Sequence, residues 1–107
     1  MTLSGKLQAF ECAVAQIPGD VYHYCRPKMK PPYTIWQEDS SKSFAADNNS
    51  AEQAVSGTLD YFTKKEYDPV IDQIQIVLKG LSVCWYLNSV QYEENTGIIH
   101  YEWVWEW

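Results

Sequence analysis

The sequence predicts an α+β domain, two helices packed on one face of a largely antiparallel sheet, in the order α-β-β-β-α-β-β. Two stretches carry apolar residues at helical spacing, around Leu3 to Ile17 and Val70 to Leu81. The segments between and after them alternate with the period of a strand. Glycine- and proline-bearing breaks separate the pieces at lengths suited to one compact unit, a single domain over residues 1–107.

Leu3, Leu7, Phe10, Val14 and Ile17 recur at intervals of four and three, so Ser4 to Gln16 is expected to be an amphipathic helix. Ser4 is a possible cap, and Pro18-Gly19-Asp20 stops the helix. Val21 to Cys25 has strand composition. Arg26 to Pro32 holds three prolines and reads as a stiff loop. Tyr33 to Gln37 is a second short β run.

Glu38 to Glu52 is polar and without a period, longer than most loops of compact domains. Such loops commonly carry function. Gln53 to Thr63 then alternates as a half-buried strand, with Val55, Gly57, Leu59 and Tyr61 on one side; Gly57 marks a bulge or a close approach. Asp68-Pro69 starts the second helix as an acidic cap before a first-turn proline, and Lys79-Gly80 ends it.

Ser82 to Tyr92 and Ile98 to Trp107 form a closing hairpin around Glu93 to Gly97. In the last strand Ile99, Tyr101, Trp103, Trp105 and Trp107 share a face opposite Ile98, His100, Glu102, Val104 and Glu106. The Trp103, Trp105 and Trp107 stripe either packs under the helices or forms a contact surface, with Trp107 expected to protrude. Apolar residues on parts of both faces raise the question of whether this strand is an exposed edge.

The totals limit the function. With 14 acidic and 8 basic residues among 107, the net charge is −6. A negative domain repels phosphate, which disfavours non-specific nucleic-acid binding. Three cysteines without a CxxC spacing suit a reducing compartment. The first residues lack the pattern of a secretory signal, and nowhere do eighteen apolar residues run together, so no membrane is expected. Aromatic residues make up 15% of the chain, a surplus typical of surfaces where proteins touch.

No phosphate loop, dinucleotide fingerprint, nucleophile elbow or HExxH zinc motif occurs. His23 and His100 lie in strands without neighbours at metal-ligand spacing, and neither metal nor cofactor is expected. His23 and Cys25, two apart, are the one pairing with the residue types of nucleophilic catalysis. Glu93 and Glu94 read as solvated turn charges.

Several segments in order carry a resemblance: Pro31-Pro32-Tyr33-Thr34-Ile35-Trp36-Gln37, Phe44-Ala45-Ala46-Asp47-Asn48, Leu59 to Lys65, and Tyr92 to Glu102. Together they resemble the tail-terminator, or tail-completion, proteins of long-tailed phages and of prophages in Gram-positive bacteria, over nearly the whole chain. The resemblance implies a non-enzymatic α+β subunit forming a ring, typically a hexamer, that caps the tail tube. Its partners would be itself, the tail-tube protein and the head connector. It would be assembled in the host cytoplasm and reside in the virion tail, with DNA passing through without sequence-specific contact. Ring closure needs one patch to meet a different patch on the neighbour. The expected interface residues are Phe44, as an apolar anchor, with Asp47, Asn48 and Asn49, and Trp107. The competing readings are a head-closure adaptor ring, a small ligand-binding or enzymatic domain using His23 and Cys25, and an adaptor or inhibitor unrelated to phage.

Overall fold

The computed structural model describes residues 2–25, 30–42 and 54–107, with residues 41 and 42 described in their backbone alone. The order is α1 (Leu3–Val14), β1 (Asp20–His23), β2 (Tyr33–Lys42), β3 (Ala54–Thr63), α2 (Val70–Gly80), β4 (Cys84–Glu93) and β5 (Ile98–Glu106). This is the expected α+β order.

Helix α1 is capped by Thr2, two residues before Ser4: the Gly5 amide donates to Thr2 Oγ1 at 3.0 Å. Helix α2 starts as its sequence dictates. The Val70 amide donates to Asp68 Oδ1 at 3.0 Å across Pro69, which itself has no amide hydrogen to satisfy.

The sheet has five strands in the order β1-β2-β3-β5-β4. β1 runs parallel to β2, and the other neighbours are antiparallel. Helix α2 carries the chain from β3 past β5 to β4. The last strand is therefore internal, and β4 is the edge that the doubly apolar β5 was suspected of being.

Two strands differ from their expected lengths. β1 ends at His23 because Tyr24 takes a positive φ of 67°, which breaks extended pairing. β2 continues through Glu38 to Lys42, opposite Ala54 to Gly57, so part of the polar stretch is strand. The register shifts between Glu38 and Ser40, a bulge facing Gly57. A Cβ on Gly57 would stand 2.0 Å from the Gln37 carbonyl oxygen and 2.7 Å from a ring carbon of Trp105. The glycine is thus a close approach of three strands.

One face of the sheet holds the core. Trp36, Val55, Leu59, Tyr61, Trp103 and Trp105 meet Phe10 and Val14 of α1 and Ile74 and Leu78 of α2. Phe10 sits with ring centroids 4.9 Å from Trp36 and 4.3 Å from Trp105. Full burial of one such ring contributes about 2 kcal/mol, and Phe10→Ala would remove it and leave a cavity. Of the two readings of the tryptophan stripe, Trp103 and Trp105 follow the first and lie under the helices.

Trp107 is a correction. It is half-buried against the same core, not protruding. Its amide donates to the Val55 carbonyl at 2.8 Å, and its carbonyl accepts from the Val55 amide at 3.0 Å. The buried Lys6 side chain adds a bond to that carbonyl at 3.3 Å. The ladder with β3 therefore runs one residue past β5 and draws Trp107 inward.

Candidate functional site

The side-chain alternation of β4 sets Trp85, Leu87, Val90 and Tyr92 on the helix side, opposite Trp105, Trp103, Tyr101 and Ile99 of β5. The helices cover β3 and β5 there, as the Trp103 indole donating to Gln75 Oε1 of α2 at 3.2 Å shows. They do not cover β4. Val90 is 52% exposed, Tyr92 63% and Leu87 41%. Across from them Ile76 on α2 is 61% exposed, and Tyr67 just before it 92%. These side chains form an apolar ledge between α2 and the free edge of the sheet.

Two clefts divide the ledge. One, of about 580 Å³, is lined by Glu66, Tyr67, Asp72, Val90, Tyr92 and Tyr101 among others. The other, of about 550 Å³, is lined by Asp72, Gln75, Ile76, Lys79 and Trp85. Glu66 stands at one end of the ledge with Lys64 beside it, Lys79 stands at the other, and Asp72 borders both clefts. Burial, and then the negative charges of Asp68 and Glu66, push the Tyr101 phenol above its ordinary pKa.

Beneath the acidic end lies a buried polar knot. Asp68 Oδ2 accepts from the Tyr61 hydroxyl at 2.7 Å and the Thr63 hydroxyl at 2.8 Å. Burial alone would raise the Asp68 carboxyl; the bonds from Tyr61, the Val70 amide and Thr63 outweigh it and hold the pKa below the ordinary value. The knot fixes the start of α2, and with it the wall of the ledge.

β4 is ten residues long and contains no lysine, arginine or proline, the residues that usually blunt an edge strand. Its one irregularity is a register shift between Leu87 and Ser89, where Asn88 donates to Glu102 at 2.7 Å. A free backbone edge beside an apolar ledge is suited to contact with another polypeptide, by strand addition and side-chain burial together.

Of the residues expected from sequence to form an interface, Phe44, Asp47, Asn48 and Asn49 lie outside the described residues. Trp107 packs on the core and is not part of the ledge. The ledge itself was not singled out from sequence, because the strand order that makes β4 an edge is not local to its residues.

Among the described residues no hydrogen bond joins the His23 ring to the Cys25 thiol. The His23 ring stacks between Tyr24 and Trp36, with centroids 3.7 Å from each. Its Nε2 lies 2.8 Å from Glu38 Oε1, and the Tyr24 hydroxyl donates to the other oxygen of the same carboxylate. Burial would raise the Glu38 carboxyl, but the bonds from Tyr24 and His23 prevail and lower it. Cys25 follows Tyr24 and is exposed. The carboxylate partner of His23 comes from β2, fifteen residues away, so sequence spacing could not reveal it. His100 finds one likewise, with Nε2 2.7 Å from Asp60 Oδ1 on the helix-free face, where Phe62 stacks on its ring at 4.2 Å.

No family model matches the chain, and no curated protein is found similar to it.

Proposed function

We propose that this chain is a structural assembly subunit that closes a ring, a hexamer, over the end of a phage tail tube. The ring stops further tube subunits from adding and presents a surface for head joining; the chain catalyses no reaction. The observation that carries the assembly half is the uncovered ledge of Tyr67, Ile76, Leu87, Val90 and Tyr92 beside the free edge of β4. A surface of that kind marks a contact with other protein. The tail half rests on the ordered series of motifs from Pro31-Pro32-Tyr33 to the closing hairpin.

Electrostatics is compatible with DNA passing through such a ring. The register puts Asp20, Asp60, Glu102 and Glu106 on the helix-free face. Such a face does not hold phosphate. Native mass spectrometry and negative-stain imaging of the chain, alone and with the tail-tube protein of the same virion, test the reading. Rings on tube ends are expected. A chain that stays monomeric and never caps tubes refutes it.

A further inference from the structure

We infer that free copies of this chain pair through β4, antiparallel strand to strand, so that each ledge covers the other until an assembly partner displaces it. This takes from the proposed function only that the ledge is a contact surface.

Area is the first argument. Summed over their exposures, Tyr67, Ile76, Leu87, Val90 and Tyr92 offer roughly 600 Å². A stable interface buries about 800 Å² per partner, and the β4 backbone edge with half-buried Trp85 supplies the remainder. The opposite edge of the sheet, β1, is four residues long and, among the described residues, has one large exposed apolar neighbour, Tyr24. It is a poor complement for the ledge, whereas a second ledge is a good one.

Charge is the second argument. α2 and β4 run in opposite directions, so Glu66 and Glu93 stand at the Tyr92 end and Lys79 at the Trp85 end. An antiparallel twofold sets Lys79 of each copy toward the end of the other where Glu66 and Glu93 outnumber Lys64, and this pairing occurs twice. A parallel pairing, about a twofold along the strands, would place the two ledges on opposite faces of the sheet. The bulge at Leu87 to Ser89 falls at the middle of β4, so the ladder forms in two short halves. That keeps the pair reversible and open to exchange. A twofold pair cannot itself close a sixfold ring, which makes it the resting form of the free subunit.

Sedimentation equilibrium over a wide concentration range, with circular dichroism as the folding control, tests the pairing. A monomer–dimer equilibrium is expected. Val90→Lys should raise its dissociation constant at least tenfold while the fold is retained, and Tyr24→Ser at the other edge should leave it unchanged. Lys79→Glu should weaken pairing severalfold, and Glu66→Lys added to it should restore pairing. A monomer at every concentration, a dimer indifferent to Val90→Lys, or a charge reversal without rescue overturns the inference. Dimers that never cap tube ends would sink the tail reading alone. Rings on tubes from a chain that never dimerises would sink the pairing alone.

Discussion

The Tyr61 hydroxyl donates to the buried Asp68 carboxylate at 2.7 Å, joining the central strand β3 to the start of α2. Thr63 and the Val70 amide complete the knot, so one carboxylate holds together two elements that share the wall of the ledge. A bond to a charged group in such a place contributes about 1.5–3 kcal/mol, and an abandoned partner costs more.

Asp68→Ala should therefore lower the unfolding free energy by about 3 kcal/mol, measured by urea denaturation. The pH dependence follows from the lowered carboxyl pKa. The unfolded chain takes up the proton near pH 4, while the folded chain resists it to lower pH. The stabilisation is present above the unfolded value and is lost as pH falls through the folded one. Asp68→Asn should flatten this acid limb; an unchanged limb would show that the knot does not set it.

Gly57→Ala should be among the most damaging small changes in the chain. Its methyl would meet the Gln37 carbonyl oxygen at 2.0 Å and Trp105 at 2.7 Å, and the first of these is backbone that cannot rotate aside. A cost of about 3 kcal/mol or more is expected, a fall in Tm on the order of 10–20 °C. Differential scanning calorimetry reads it directly.

The same glycine shows what the sequence could reveal. Its place among alternating Val55, Leu59 and Tyr61 announced a close approach, because a strand interior otherwise disfavours glycine. Both helices were equally legible from Phe10 and Val14, and from Ile74 and Leu78, whose spacing is a local property of the chain. Strand order is not local. Nothing in Cys84 to Glu93 says that β5 will lie inside it, so neither the edge nor the ledge could be read. Glu38 to Lys42 read as loop because its residues are polar, yet pairing with β3 extends the strand through them. Trp107 misled for the opposite reason, since its position at the end of the chain suggested exposure while backbone bonds to Val55 tuck it in.

Glu38→Gln should move the Tyr24 phenol back toward an ordinary titration. Its hydrogen bond to the Glu38 carboxylate is the main reason that its pKa is raised, and that bond weakens when the acceptor is neutral. Ring-labelled tyrosine followed by NMR through an alkaline titration should show Tyr24 ionising at lower pH in the variant. If Tyr24 titrates alike in both proteins, the Tyr24–Glu38 bond does not persist in solution.

The two buried tryptophans of β5 should differ in what their indole nitrogens contribute. Trp103 Nε1 donates to Gln75, but Trp105 Nε1 is buried without a hydrogen-bond partner among the described residues. Replacing either with phenylalanine removes similar apolar surface. At 103 the change also breaks a bond to α2. At 105 it removes a donor that already bears an unreturned desolvation cost, offsetting part of the lost packing on Phe10. Trp103→Phe should therefore destabilise by about 1 kcal/mol more than Trp105→Phe in parallel urea titrations. Equal losses, or the reverse order, would mean that the Trp105 indole has a partner in solution.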